Sequence, residues 1–316
     1  MPHILFVFID GVGLGNPDPA VNPFARFELP ALSALAGGQP WTLSARDLDE
    51  DRHVFRRLDA NLDLDGLPQS GTGQAALFTG VNCAQLAGRH FGPYPHSATR
   101  PVLASENLFL KVQRLLPAHP GPAAFANAYP PRFFSYVERS DRWTVTTRCC
   151  LEAKIPIRGL DELSRGEAIA ADLTGHGFHR LQLNTLEPRT EDESAVLLHQ
   201  LSRRHALTLF EYFLTDKAGH SRSFARAEET LYSLDRFFSA LLASLDPAID
   251  LLVVTSDHGN LEDLSTKSHT RQPVPLVALG HGAHHFSHAH SILDVTPALE
   301  QCVSATQPAP DASGDP

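Results

Sequence analysis

Cysteine, long apolar runs and excess positive charge are all scarce in this sequence, and each absence excludes a class of protein. Four cysteines in 316 residues are too few for a disulfide scaffold, and no C-x-x-C spacing indicates a zinc ribbon. No apolar stretch is long enough to span a bilayer, and residues 1–10 lack the basic start of a signal peptide. The formal net charge of −10 argues against a nucleic-acid or anionic-membrane partner. We therefore expect a cytoplasmic protein that binds neither nucleic acid nor membrane.

Three apolar runs rich in β-forming residues predict buried strands. They are residues 4–9, 207–214 and 249–255. Apolar residues at helical spacing over residues 224–245 separate the second run from the third, and strands that alternate with helices indicate a parallel sheet. We predict an α/β fold in which a mostly parallel sheet is flanked by helices.

The middle of the chain has a different pattern. Residues 129–183 are irregular and concentrate arginines in an otherwise acidic sequence. We interpret them as a smaller inserted cap that divides the core into residues 1–128 and 184–303. Residues 304–316, which are mostly Pro, Ala, Ser and Asp, are predicted to form a disordered tail.

Polar side chains of two kinds follow the predicted strands. In chain order they are Asp10, then Asp216 and His220, then Asp257 and His258, and finally His269. Each alone has an ordinary interpretation, because aspartates commonly cap turns and histidines are commonly just solvated. The carboxyl ends of parallel strands meet at one edge of a sheet, so together these side chains predict a mixed oxygen and nitrogen site suited to zinc or manganese. Six ligands exceed one tetrahedral site and would be shared by two ions about 4 Å apart.

A hydroxyl that could act as a nucleophile lies in a glycine-rich segment. Ser70 precedes an apolar helical run over residues 75–80. One interpretation is a serine that caps the helix. The other is a nucleophile whose phosphoryl group is received by the backbone N–H groups of the helix start.

Three segments resemble the alkaline phosphatase superfamily and, within it, the metalloenzyme core of cofactor-independent phosphoglycerate mutases. The segments are S-x-x-G-Q-x-x-L-x-x-G from Ser70, T-S-D-H-G-N-L-E from Thr255 and H-T-R-Q-P-V-P from His269. They are similar to the mutase segments S-x-x-G-H-x-x-I-x-x-G, T-A-D-H-G-N-x-E and H-T-x-N-P-V-P. The resemblance covers residues 3–95 and 190–302 and implies an alkaline-phosphatase-like core.

The resemblance also implies roles for individual residues. It assigns two divalent ions, Mn or Zn, to two ligand sets: Asp216, His220 and His269 for one ion, and Asp10, Asp257 and His258 for the other. Ser70 Oγ would be a further ligand of the second ion and the nucleophile. The implied reaction transfers a phosphoryl group to Ser70 and then to water or to a second hydroxyl.

Two departures from the mutases bear on the reaction. The insertion is much shorter and has no recognisable phosphoglycerate-binding set, and Gln74 replaces the mutase histidine. We therefore favour a phosphomonoesterase or phosphodiesterase with a small phosphorylated substrate. A small phosphomutase of the phosphoglycerate mutase or phosphopentomutase type is the alternative enzyme, and an inactive metal-binding interaction module is the alternative outside enzymes. Substrate contacts are expected from Gly71, Thr72, Gln74, Arg132 and Arg139.

Five further histidines lie close together near the end of the chain. They are His281, His284, His285, His288 and His290. A mobile surface loop is favoured over an additional metal site for this stretch.

Overall fold

A computed structural model gives the structure of residues 3–181, 183 and 187–305. Over this part of the chain, seven strands form one sheet in the order β2-β3-β9-β8-β1-β7-β4, and β5 pairs with β6. The strands are β1 (His3–Ile9), β2 (Leu48–Glu50), β3 (His53–Leu58), β4 (Ala123–Phe125), β5 (Asn127–Ala128), β6 (Ile169–Ala170), β7 (Leu207–Tyr212), β8 (Asp250–Thr255) and β9 (Val274–Gly280).

The direction of the strands confirms the predicted mostly parallel sheet. β1 pairs in parallel with β7 and β8, and β4 pairs in parallel with β7. β9 is antiparallel to β8 and β3, and β2 is antiparallel to β3. Strands β3, β8, β1, β7 and β4 therefore run in one direction, and β9 and β2 run in the other.

Helices cover both faces of the large sheet. In chain order they are α1 (Pro23–Arg26), α2 (Pro30–Leu35), α3 (Ser70–Thr79), α4 (Cys83–Ala87), α5 (Arg100–Glu106), α6 (Leu108–Leu115), α7 (Pro131–Ser140), α8 (Val145–Glu152), α9 (Leu160–Ser164), α10 (His176–His179), α11 (Glu191–Ser202), α12 (Leu214–Ser221), α13 (Phe224–Ser244) and α14 (Val295–Ser304). Phe6 and Phe8 of β1 pack with α3, α6, α8 and α14, whereas Leu5 and Val7 pack with α2, α11 and α13. Because both faces of β1 are covered, its sequence is apolar without alternation.

The predicted elements are found with one correction. β1, β8 and α13 agree with the predicted runs to within a residue. The run over residues 207–214 was predicted to be strand to its end, and that is wrong, because β7 ends at Tyr212 and Leu214 begins α12. The Thr215 hydroxyl lies 2.6 Å from the Asp10 carbonyl oxygen and 3.3 Å from that of Tyr212. By donating to these oxygens it turns the chain into the helix.

The segment predicted as a cap contains α7 to α10 and β6. Its helix α8 places Val145, Cys149 and Cys150 in the same core cluster as α3 and β1. Leu163 and Phe178 belong instead to a separate small cluster. The bounds of the cap stay a prediction. From residue 306 onward, the predicted disordered tail lies outside the described residues.

Across the described residues, no helix has both the length and the apolar character needed to cross a membrane.

Helix α3 is fixed to the central strand by aromatic contacts. The ring of Phe78 lies edge-to-face against those of Phe6 and Phe8, with centroid separations of 6.1 and 5.4 Å. Gly80 ends the helix in the left-handed conformation, with φ of 74°. This packing holds the first residue of the helix, Ser70, near the end of β1.

We expect Phe78→Ala to lower the free energy of unfolding by about 3–5 kcal/mol, because it removes a fully buried ring and leaves a cavity between α3 and β1. Urea denaturation of the metal-free protein measures this. Leu86, which is 47% exposed, is the control, and Leu86→Ala should change stability by less than about 0.5 kcal/mol. Equal effects of the two substitutions would contradict the anchoring of α3.

Candidate metal centre

The ends of three adjacent parallel strands bring the predicted ligands to one edge of the large sheet. Asp10 directly follows β1, and Asp257 and His258 follow β8. β1 lies between β8 and β7, and α12, which follows β7, carries Asp216 and His220. This is the edge at which α/β sheets bind ligands.

The first predicted ligand set is close enough to share an ion. His220 Nε2 lies 3.3 Å from Asp216 Oδ2 and 3.2 Å from His269 Nε2. His269 Nε2 lies 3.6 Å from Asp216 Oδ1. Two ligand atoms bound tetrahedrally about 2.0–2.2 Å from one ion lie about 3.3–3.6 Å apart. The observed separations therefore match those of a coordination sphere.

The second predicted set converges on His258. Its Nε2 lies 3.5 Å from Asp10 Oδ1, 3.4 Å from Asp257 Oδ2 and 2.9 Å from Ser70 Oγ. The His258 ring also stacks on that of His269, with 3.8 Å between centroids. Ligand atoms of His258 group with Asp216 and His269 as well as with Asp10 and Asp257. The two sets therefore adjoin at the stacked histidines.

The backbone sets the tautomers of these histidines for metal binding. Nδ1 of His269 lies 2.7 Å from the Pro68 carbonyl oxygen, and Nδ1 of His220 lies 2.8 Å from that of Lys267. A carbonyl oxygen only accepts, so Nδ1 carries the proton in each neutral ring and Nε2 presents a lone pair. The two Nε2 lone pairs face each other 3.2 Å apart, and a cation bound between them would replace this repulsion with attraction.

Burial shifts the pKa values of the ligands in opposite directions. Burial raises the pKa of Asp257 to about 7, with the Asp216 charge as the next cause. Burial and then the Asp257 charge raise the pKa of Asp10 well above its usual value. Burial lowers the pKa of His258 and of His269 to about 4, so both rings are neutral near pH 7.

Two buried carboxylate oxygens of this centre have no hydrogen-bond partner. They are Asp10 Oδ1 and Asp257 Oδ2. Desolvated anionic oxygens without donors are costly unless a cation compensates them. Together with the neutral imidazole nitrogens they form a donor set that fits two divalent ions such as Mn²⁺ or Zn²⁺.

Two backbone N–H groups in the first turn of α3 already have hydrogen-bond partners in the protein. The N–H groups of Thr72 and Gly73 donate to the carbonyl oxygens of Phe91 and Gln69 respectively, at 2.9 and 2.8 Å. The predicted phosphoryl cradle can therefore use only the amides that precede Thr72. Gly71 is required here, since a side chain would overlap the Tyr94 carbonyl oxygen.

Thr72 and Gln74, both expected to contact substrate, have buried side chains with protein partners. The Thr72 hydroxyl accepts from the Phe91 N–H at 3.1 Å. The Gln74 amide donates to Asp10 Oδ2 at 3.4 Å. Gln74 thus touches a predicted metal ligand directly, and both substrate roles stay predictions.

The two cap arginines have different neighbours along α7. Arg132 is exposed, and its charge acts on Lys217, the residue after Asp216. After burial, its charge is the main cause that lowers the pKa of Lys217. Arg139 is also exposed, and its Nε donates to the Ser135 carbonyl oxygen of its own helix at 2.9 Å.

The histidine-rich stretch lies apart from the centre. Its residues are exposed or half-buried around a short 3₁₀ helix, Ala283–Phe286, and the rings of His284 and His285 lie 4.2 Å apart. Among the described residues, compact groups of three or more His, Cys, Asp or Glu ligands occur only at the sheet edge. The five histidines form no such group.

Two buried carboxylates near the centre received no role from the sequence, although Glu262 ends the segment T-S-D-H-G-N-L-E. Glu262 accepts hydrogen bonds from the Gly13 and Asn260 backbones, each at 2.8 Å. Glu211 lies on β7 and has one oxygen without a partner. Burial raises the pKa of Glu211 to about 7. The signal that could have found it is a single charge inside the otherwise apolar run over residues 207–214.

Glu211 predicts a pH dependence of stability. The folded protein holds its proton up to about pH 7, whereas the unfolded chain releases it near pH 4.5. The neutral carboxyl thus favours folding at low pH, and this contribution is lost as pH rises through 7. Between pH 6 and pH 8 in chelator, wild type should lose about 1 kcal/mol relative to Glu211→Gln.

Urea unfolding at both pH values measures this difference. Glu138→Gln on the exposed face of α7 is the matched control and should track wild type. A difference between wild type and Glu211→Gln that does not change with pH would contradict the buried neutral carboxyl.

Comparison with known proteins finds a family model, curated relatives and solved structures that resemble this chain. Residues 182–301 match the model of the metalloenzyme superfamily. A 2,3-bisphosphoglycerate-independent phosphoglycerate mutase of Legionella pneumophila (strain Corby) is 30% identical over 121 residues, which are 36% of this chain and 23% of the mutase. The chain thus spans less than a quarter of that relative.

Two solved structures share the fold. The alkaline phosphatase from the Antarctic bacterium TAB5 superposes with a TM-score of 0.52 at 11% identity, covering 96% of this chain and 98% of that chain. The phosphoglycerate mutase of Leishmania mexicana superposes with a TM-score of 0.51 at 11% identity, covering 98% and 96%. The predicted resemblance is confirmed: residues 182–301 match the metalloenzyme-superfamily model, and the chain has an alkaline-phosphatase-like α/β fold.

Proposed function

We propose that this protein is a phosphoryl-transfer enzyme that uses two divalent metal ions and a phosphoserine at Ser70, and that it acts as a phosphomonoesterase or phosphodiesterase. The observation that carries the proposal is the position of Ser70 Oγ. It lies at the first residue of a ten-residue helix and 2.9 Å from His258 Nε2, where the two ligand sets adjoin. A hydroxyl placed at both a helix N-terminus and a cation site suits attack on an anionic phosphorus centre.

Each group of residues at the site has its own role in the proposed reaction. When bound, the ions would neutralise charge on the phosphoryl oxygens and favour ionisation of the serine hydroxyl. Asp216, His220 and His269 would hold one ion, and Asp10, Asp257 and His258 would hold the other. The helix start contributes its positive dipole end and its first amides toward the phosphoryl group.

Water is the only reactant that the proposed reaction needs besides the phosphate ester. The Ser70 O–H bond and the bond from phosphorus to the leaving oxygen break, and the Oγ–P bond forms. The serine proton passes to solvent, and the leaving oxygen takes up a proton. Water then attacks the phosphoserine and releases phosphate, or a phosphate monoester from a diester, with Ser70 restored.

Access of water favours hydrolysis over mutase activity. The His220 side chain is 46% exposed, so solvent reaches the ligand set that faces the cap. A mutase must retain its phosphoryl group until a second hydroxyl of the substrate arrives, and water at the site competes with that step. The Legionella relative is named a mutase, but this chain covers only 23% of it.

The rim of the site supports a small anionic substrate. Arg132 of the cap and Lys217 beside Asp216 place two cations next to the ligand set, and no ion pair involves either one in the described part of the chain. We include a cytoplasmic location in the proposal, since all four cysteines are free and buried.

Ser70→Ala should lower turnover of p-nitrophenyl phosphate and bis-p-nitrophenyl phosphate, in the presence of Mn²⁺ or Zn²⁺, by at least about a thousand-fold. It removes the attacking atom and leaves the six Asp and His ligands in place. After reaction with ³²P-labelled p-nitrophenyl phosphate and an acid quench, wild type should retain ³²P on the protein as phosphoserine, whereas Ser70→Ala should not. Ser135→Ala, an exposed serine on α7, is the control and should match wild type.

Other outcomes identify the alternatives. Two bound ions without hydrolysis, but with transfer of phosphate between hydroxyls of a sugar phosphate, would replace the hydrolase with a phosphomutase. Bound ions with no turnover of any phosphoester would favour an inactive metal-binding module. Absence of bound metal in protein saturated with Mn²⁺ and Zn²⁺ would overturn the proposed centre.

A further inference from the structure

Glu262 joins three loops that carry the predicted metal ligands. It lies five residues after Asp257 and is only 1% exposed. One carboxylate oxygen accepts from the backbone N–H groups of Gly13 and Asn260, each at 2.8 Å. The other accepts from the Thr270 hydroxyl. One buried side chain therefore bonds the loop after β1, the loop after β8 and the loop of His269.

Through Asn260 and Thr270, Glu262 reaches two ligands of the first set. The Asn260 side-chain amide donates to Asp216 Oδ1 at 2.6 Å and to the Asp216 carbonyl oxygen at 3.1 Å. Because Glu262 holds the Asn260 backbone in place, it also fixes the position from which the Asn260 side chain reaches Asp216. Thr270 directly follows His269, so its bond to Glu262 limits where that imidazole can move.

The hydrogen bond from Gly13 links Glu262 to the second ligand set as well. Gly13 belongs to the turn that follows Asp10, and within that turn the Gly11 N–H approaches Asp257 Oδ1 at 3.4 Å. A side chain at Gly13 would overlap the Glu262 carboxylate. The turn and the carboxylate therefore pack so closely that neither can shift alone.

A carboxylate is the group that these contacts require. Gly13, Asn260 and Thr270 all present donors, and an ionised carboxylate only accepts. A glutamine of the same shape could keep its oxygen on the Gly13 and Asn260 N–H groups, but these bonds would lose the carboxylate charge, and the Thr270 hydroxyl would have to accept from N–H₂ instead of donating.

We propose that Glu262 is a positioning residue that fixes the spacing of both ligand sets by holding the three loops in one arrangement. It acts through Asn260, Thr270 and Gly13 and touches neither substrate nor ion. Supporting residues of this kind change metal affinity by about 10- to 100-fold when removed. The inference rests on the proposed metal centre.

The test compares Glu262→Gln with wild type by titration of metal-free protein with Co²⁺ and Mn²⁺. Calorimetry gives the affinities, and the visible absorption of bound Co²⁺ reports ligand geometry independently of activity. We expect Glu262→Gln to weaken binding by about 10- to 100-fold and to alter the cobalt spectrum. Thr270→Val should do the same to a smaller extent, because it removes one of the three donors.

Two controls separate positioning from general loss of structure. Asp263→Asn changes the neighbouring carboxylate, which accepts from Ser265, and should leave affinity and spectrum unchanged. Thr270→Ser retains the hydroxyl and should rescue the Thr270→Val defect. Thermal unfolding in chelator reports the stability of each variant, and Thr270→Val serves as the test if Glu262→Gln does not fold.

Each result has a distinct meaning. Lower unfolding temperatures in Glu262→Gln and Thr270→Val with wild-type affinities and cobalt spectra would overturn the positioning role and leave the metal centre standing. Failure of wild type to bind either ion would overturn the proposed centre itself.

Discussion

Crowding of negative charge at one buried edge of the sheet is the constraint on which the rest of this site depends. Strands β8, β1 and β7 are adjacent and parallel, so the residues that follow them lie close together. Asp10 and Asp257 are both buried, and each has an oxygen without a donor. Their raised pKa values express the cost of this arrangement. Bound cations would offset that cost and add to stability by binding the folded state alone.

Ser70, the proposed nucleophile, is held at the same edge by a different set of contacts. Helix α3 lies on β1 through Phe78, and its first residue reaches His258 at the junction of the ligand sets. The carbonyl oxygens of Phe91 and Gln69 take up the amides of Thr72 and Gly73. Only the first amides of the helix are left for a phosphoryl group, which narrows the position that a substrate can occupy.

Helix α7 of the predicted cap lies against the loop that covers the start of α3. Tyr136 of α7 meets Tyr94 of the loop over α3, with 3.2 Å between their hydroxyl oxygens. The predicted cap therefore contacts the loop over α3, whereas the His220 side chain is 46% exposed to solvent.

Sequence alone determined three central strands, the helix between two of them and the identity of the ligand candidates. Apolar runs followed by Asp and His are local patterns, and the edge rule for parallel strands converts them into one site. Tertiary structure decided how Asp216 is presented, because Thr215 ends β7 early and places that residue on a helix. It also decided the parts played by Glu211 and Glu262. A carboxylate shows in a sequence only as a charge, and its partners come from loops that are distant along the chain but packed together in the fold.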